Sequence, residues 1–397
     1  MRPAFKLEHI HNLYPTLWTR AADFLQVLDT TFSCDDRVVN ISPFLSRQTL
    51  DMIGAAAFGL DFQSVCCPGN PFTTHYFNGF STSQRASVNI LLSSFLPSWM
   101  LKVLPLRGPR KVGHAIGSVR RRLFDLAEQR ICERQTIKDV AEHSIPMDIL
   151  GVAIAAGVID RDALVDQCAA FLGGGQETTA SALSWALYEL SRHPHTQEKL
   201  RQEVRENVKP PSCCQDESAI SLSSVQKLRY LNAVCNESLR LHAPIPILIR
   251  AAIETVTVGG IPCPKGSTFK LSPWIFGHSP ELWSTSDLFE FDPDRWLNDP
   301  RGGAGYQDMT FSGGPRACVG ERFAKAGMAT ILAALVGRYQ FDFVGTGEEL
   351  NTDPELVRVE KGITAKIEGG LRVGSLPYPE RRTVLVGLET WLAVLSD

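Results

Sequence analysis

The segment Phe311-Ser312-Gly313-Gly314-Pro315-Arg316-Ala317-Cys318-Val319-Gly320 stands at the start of an apolar stretch, about 319–337, that reads as a helix. A cysteine at a helix N-terminus is biased toward thiolate, because the helix dipole and the free N–H groups favour an anion. Gly313 and Gly314 permit a tight turn with positive φ. Gly320 leaves room for something flat to lie close to the backbone. Arg316 is a fixed cation two residues from the sulfur and suits a carboxylate. A thiolate, a flat ligand and carboxylates together describe haem with an axial cysteine. For any single cysteine, burial in a glycine-rich turn is the commoner situation. The ten-residue pattern as a whole favours the ligand.

A second arrangement suits proton transfer. Residues 161–192 read as one helix, started by Asp160 or Asp162 and ended by His193-Pro194. Gly173-Gly174-Gly175 falls in its middle, where each glycine costs about 1 kcal/mol against alanine. A local rule broken without local gain marks a candidate functional site. In Gly174-Gly175-Gln176-Glu177-Thr178-Thr179, small residues let the helix open. The Glu177 carboxyl and Thr178 hydroxyl can then pass protons. The alternative is a helix whose threonines bond back to the preceding turn.

Two further motifs concern position rather than reaction. Glu237 and Arg240 are three residues apart and share one helix face. The same spacing recurs at Glu189–Arg192, Glu198–Arg201 and Glu355–Arg358, and most such pairs are surface ion pairs. Phe291-Asp292-Pro293-Asp294-Arg295-Trp296 supplies a second arginine, Arg295.

In this order the motifs resemble those of the cytochrome P-450 family of haem-thiolate monooxygenases, eukaryotic microsomal type. The resemblance implies that Cys318 is the axial ligand of the iron of haem b, that Arg316 binds a propionate, and that Phe311 and Gly320 belong to the cofactor loop. It implies an oxygen-activating role for Glu177 and Thr178, and a buried structural triad of Glu237, Arg240 and Arg295. The segment from Leu241-His242-Ala243-Pro244 to Arg250 resembles the strand lining the family's pocket, which points to Ile245 and Ile247. Gly362-Ile363-Thr364 resembles a second turn reaching it, which adds Ile363. Ala169, Phe171 and Leu172 would face substrate from the long helix, with ordinary core as the alternative. The implied reaction inserts one atom of dioxygen into an apolar small molecule, by hydroxylation or epoxidation, in secondary metabolism. Electrons would come from NADPH through an NADPH-cytochrome reductase. The implied form is a monomer, on the cytosolic face of the endoplasmic reticulum membrane where the full-length form carries an anchor.

The chain departs from the family at both ends. Arg2-Pro3-Ala4-Phe5 resembles a segment that lies well inside the family's chain. The expectation is therefore a chain lacking an anchor, the first strands and a Trp/Arg helix, about a fifth to a quarter of the usual length. That makes a haem-free fragment or interaction protein the rival reading. A haem-thiolate isomerase or dehydratase is a further rival, against which Glu177-Thr178 argues. Residues 1–373 read as one domain and 374–397 as an extension of unknown role.

The remaining composition fits these motifs. In 397 residues, 40 Lys+Arg against 43 Asp+Glu leave a net charge of −3, so nothing favours nucleic acid. The ten cysteines form no CxxC pair. They read as neither a disulfide framework nor a zinc site, and a reducing compartment is the simpler setting. No run reaches the ~18 apolar residues of a membrane span; the longest, 149–159, is bounded by Asp148 and Asp160. Helices are expected over 12–32, 42–58, 111–131 and 225–241. Arg120, Arg121 and Arg122 would form a solvated face of the third. Alternation over 249–272, with turns at Gly259-Gly260 and Lys265-Gly266, predicts a hairpin. Residues 209–224 read as loop. The fold class is mainly α with small β-sheets (α+β), in the cytochrome P-450 architecture with its N-terminal part missing.

Overall fold

The computed structural model describes residues 5–33, 38–80, 107–137, 148–155, 160–208, 225, 227–283, 287–298, 309–346, 357–360 and 364–377. Its longest helix, Arg161–Arg192, begins where sequence chemistry places it. The Asp160 carboxylate accepts from the N–H groups of Asp162 and Ala163 at 3.1 and 3.4 Å, which have no partner within the helix. Pro194 then opens the next helix, Pro194–Asn207. The glycine triplet does not interrupt the long helix. One of its members is there for packing: a Cβ on Gly175 would stand 3.0 Å from the Ile53 side chain.

In chain order the helices are α1 (Leu7–Ser33), α2 (Ser42–Phe58), α3 (Pro71–Phe80), α4 (Arg107–Ile137), α5 (Ile149–Ala155), α6 (Arg161–Arg192), α7 (Pro194–Asn207), α8 (Arg229–Leu241), α9 (Pro273–Gly277), α10 (Asp294–Asn298) and α11 (Glu321–Arg338). The C-terminal half of α6 is buried all round, from Thr179 to Ser191. It packs on α2, α4, α8 and α11. Leu183, Leu187 and Leu190 in it are fully buried, each worth about 1.5–3 kcal/mol, and Thr179, Ser181, Ser184, Glu189 and Ser191 are buried beside them. On α4, Val119, Leu123 and Ala127 face the core. Arg120, Arg121 and Arg122 are exposed, and Arg120 reaches Asp166 at 2.7 Å.

The strands are short. β1 (Val38–Asn40), β6 (Tyr339–Thr346) and β7 (Leu371–Pro377) form an antiparallel sheet in the order β1-β7-β6. Val373 stands opposite both Val39 and Phe343. β7 continues past Val373 to Pro377; residues beyond it lie outside the described set, as do 209–224. The alternating stretch over 249–272 makes two nested pairs rather than one hairpin. β2 (Leu248–Ala251) pairs with β5 (Thr268–Leu271), and between them β3 (Val256–Val258) pairs with β4 (Ile261–Cys263). Gly259 and Gly260 turn β3 into β4 with φ of 57° and 81°, which glycine alone adopts freely. Helix α8 starts at Arg229, four residues later than the periodicity suggests. Among the described residues, no helix is long and apolar enough to cross a membrane.

Candidate active site

The cysteine loop is built by its own backbone. The N–H of Ser312 donates to Met309 O at 2.9 Å, that of Ala317 to Gly314 O at 3.1 Å, and that of Cys318 to Phe311 O at 2.8 Å. Gly314-Pro315-Arg316 forms a single 3-10 turn. Gly314 and Ser312 both have positive φ, 68° and 61°; Ser312, not Gly313, is the second left-handed residue. The loop delivers Cys318 to the first turn of α11, where the N–H groups of Gly320 and Glu321 bond to its sulfur.

Those N–H groups do not win. The protein mass around the sulfur raises the Cys318 thiol above its ordinary value, Glu321 adds to the rise, and the two N–H groups offset only part of it. Cys318 is exposed as a residue, yet the atoms packed around its sulfur outweigh the thiolate bias expected from the helix terminus.

Cys318 opens on a cavity of about 360 Å³ between the loop and α6. Gly174, Thr178, Thr179 and Ala182 line it from α6, and Pro244, Ile245, Leu248 and Arg250 from the segment after α8. Phe311 and Arg316 close the loop side, and Ala324, Lys325 and Met328 the α11 side. A Cβ on Gly174 would meet nothing within 4 Å, and one on Gly320 would meet only the Cys318 sulfur, at 3.9 Å. Both glycines keep space open beside the thiol. Arg316 is exposed and has no hydrogen-bond or ion-pair partner among the described residues. Arg250 donates to Ile249 O at 3.0 Å and Ser312 Oγ at 3.4 Å. A soft sulfur donor, apolar walls and two rim guanidiniums suit a flat, iron-bearing ring with carboxylate arms, so the residues present fit haem.

Other candidate residues fall elsewhere. Glu177 pairs with Lys366 and lines a separate polar groove with Ser42, Ser46 and Ser181. Thr178 lines the cysteine cavity, but its hydroxyl donates back to Gly174 O at 2.7 Å. The buried Thr179 Oγ1 has no partner among the described residues. Ile245 lines the cavity; Ile247, one residue before β2, does not, and it is 55% exposed on the outward side with Ile249, while Leu248 and Arg250 face the cavity. Ala169, Phe171 and Leu172 are not in the lining either. They pack into the core, Leu172 fully buried and Phe171 edge-on to Phe5 at 5.3 Å. Ile363 lies outside the described residues. Arg250 ends the segment that the sequence places along the pocket, whereas Lys325 and Met328 escape sequence reasoning, since only the fold brings them to the cavity.

Glu237, Arg240 and Arg295 do meet. The Glu237 carboxylate is wholly buried and receives five donors. Arg240 Nε and Nη2 bind it in a fork at 2.8 and 2.7 Å, and Arg295 Nε reaches it at 3.2 Å. Trp296 Nε1 donates at 2.8 Å and the Asp292 N–H at 3.1 Å. Arg240 also donates to the carbonyls of Gly277, Leu288 and Glu290. A Cβ on Gly277 would clash with the Arg240 carbonyl oxygen. The pairs of equal spacing differ from this and from simple surface pairs. Arg201 is buried, bonded to Glu198, Gln197 and the carbonyls of Val336 and Tyr339. Glu189 turns instead to His242, at 2.6 Å.

A thiol loop leading into one helix, facing a continuous glycine-bearing helix across an apolar slot and backed by a buried Glu-Arg-Arg cluster, defines a haem-thiolate class of protein. The model of the family described as Cytochrome P450 matches residues 1–367, and the chain belongs to that family. Cytochrome P450 monooxygenase sphH of Aspergillus fumigatus is 34% identical over 383 residues, 94% of this chain and 68% of the relative. Cytochrome P450 monooxygenase ALT8 of Alternaria alternata is 34% identical over 433 residues, with 94% and 71% covered. Cytochrome P450 monooxygenase FUM15 of Gibberella moniliformis is 31% identical over 425 residues, with 95% and 70% covered. The chain is a monooxygenase-type oxidoreductase with the helix-rich fold of that family.

Proposed function

We propose that the cavity between α6 and the cysteine loop holds haem b, and that this chain oxidises an apolar small molecule of secondary metabolism with dioxygen and electrons from NADPH. The observation that carries the reading is the convergence of Cys318, Arg316, Arg250, Gly174 and Thr178 on one cavity. Cys318 is the iron's protein ligand. Arg316 and Arg250 neutralise the two carboxylate arms. Haem held there supplies activation of dioxygen for transfer of one oxygen atom to a C–H or C=C bond.

The rest falls to side chains. Ala182, Ile245 and Leu248 exclude water and hold an apolar substrate by shape. Thr178 and Glu177 are neighbours on adjacent faces of α6. Thr178 faces the cysteine cavity and Glu177 the outer polar groove. A proton taken up by Glu177 from the groove therefore has a hydroxyl one residue away, once Thr178 turns from Gly174 O. Electrons enter through an NADPH-cytochrome reductase, as membership of the family implies.

The test is the reduced, CO-bound spectrum. A band at about 450 nm is expected for a cysteine thiolate on haem iron. Cys318→Ser should abolish it, while Cys235→Ser, buried and outside the cavity lining, should leave it. A band that survives Cys318→Ser overturns the ligand, and a purified chain without haem absorbance favours the haem-free reading.

A further inference from the structure

We infer that Trp185 is the positioning residue that sets the width of the cavity, by fixing where Pro244, Ile245 and Leu248 stand relative to α6. The inference rests on the haem reading only for its ligand test. Ser181, Trp185 and Glu189 are spaced four apart on α6 and so form one stripe. All three are buried, and none lines the cysteine cavity.

Each member of the stripe grips a segment that does reach the cavity, or the peptide that holds it. The Trp185 indole lies flat on the His242 ring, centroids 4.1 Å apart and planes 6° apart. Glu189 Oε1 holds the far side of that ring, 2.6 Å from His242 Nε2. The Trp185 Nε1–H donates to Ala365 O at 2.8 Å, and Ser181 Oγ donates to the same oxygen at 2.5 Å. The Ala365 N–H in turn donates to Pro244 O at 2.8 Å. One tryptophan thus holds the 242–248 segment twice, by stacking on His242 and, through the Ala365 peptide, by the carbonyl of Pro244.

Pro244, Ile245 and Leu248 share the cavity with Thr178, Thr179 and Ala182, which sit one turn or less from the gripping stripe. Their separation is the room left for substrate beside the sulfur. A surface loop would adjust to each ligand; this one is tied to the rigid helix that forms the opposite wall. A buried donor pair on one carbonyl is costly to break, because the oxygen is left dry and unpaired.

Two azoles read the width. Imidazole is small enough to coordinate haem iron without touching the walls, whereas 4-phenylimidazole places a ring between them. Trp185→Phe keeps a ring for His242 and loses the N–H; Ser181→Ala removes the other donor to Ala365. In each variant the ratio of the two dissociation constants should change about threefold or more, with the imidazole value itself held. Trp185→Leu, which loses stack and donor, should shift the ratio further, and Trp185→Phe should recover part of that. Deuterium exchange should quicken at the Ala365 amide in all three variants, with or without ligand.

An unchanged ratio in haem-loaded Trp185→Phe and Ser181→Ala overturns the inference, even if exchange at Ala365 quickens. Equal shifts for both azoles also overturn it, since those report haem placement. Should Trp185→Phe fail to fold, Ser181→Ala alone decides. Failure of the haem reading is separate, because the unmutated chain would then show no Soret band at all.

Discussion

Two clusters of charge and polarity lie on either side of α8, and they are built on opposite terms. Around Glu237 every group is answered within the chain: five donors on one buried carboxylate, and three carbonyls on Arg240. Around Cys318 the chain leaves groups open. Arg316 is exposed, with no partner among the described residues, and the sulfur faces a cavity. A buried ion cluster is weak support for stability but fixes geometry firmly. An open one invites a ligand. The first region holds still the scaffold on which the second waits.

The sharpest break between them comes from Glu237→Ala. It strands Arg240 inside the protein, and one-sided removal of a buried pair costs about 3–5 kcal/mol, a large part of the ~5–15 kcal/mol that stabilises a domain. Asp166→Ala removes an exposed partner of Arg120 at 2.7 Å, and exposed pairs are worth about 0–1 kcal/mol. Denaturant midpoints should therefore fall steeply for the first and barely for the second. Similar losses would show that Glu237 is not the anchor the geometry makes it.

The two regions were also unequally legible. The four α-helical cores and the limits of α6 follow from periodicity, Asp160 and Pro194, because capping and breaking are local. The loop's chemistry was readable for the same reason: Phe311 to Gly320 is contiguous. What converges through the fold was not. Lys325 and Met328 reach the cavity only because α11 packs beside it. Spacing cannot tell Glu237–Arg240 from Glu198–Arg201, since both arginines are buried and only the partners differ. Ile245 and Ile247 show the limit at finest scale: they lie two residues apart in the non-strand segment before β2, yet only Ile245 reaches the pocket and Ile247 is exposed.

Arg316→Gln tests the open region from the other side. Its guanidinium has no hydrogen-bond or ion-pair partner among the described residues, so stability should move by less than about 0.5 kcal/mol. Haem should dissociate about two- to fivefold faster, the worth of one exposed ion pair. A large loss of stability would mean that Arg316 is structural and the region is not open after all. Gly174→Ala sharpens the contrast within α6. A Cβ there meets nothing within 4 Å, so the helix gains about 0.5–1 kcal/mol over glycine, read as a rise in melting temperature. A fall would place an unseen contact at that point.

His9 combines the two conditions and gives the smallest effect. It is buried in α1 at 6% exposure like Glu237, yet neither ring nitrogen has a partner among the described residues. Burial without a partner disfavours the charged ring, and the pKa is lowered from 6.5. The sign follows from proton counts. Below about pH 6.5 the unfolded chain takes up a proton that the folded chain resists, so stability is full above that pH and falls as acid is added. One such proton is worth at most about 1.4 kcal/mol per pH unit. His9→Leu removes the group, so the stability difference between variant and parent should be flat above pH 7 and should shift in the variant's favour below about pH 6.5. Parallel curves through that window would mean that His9 is protonated alike in both states, and so is reached by water or a partner that burial would otherwise deny it.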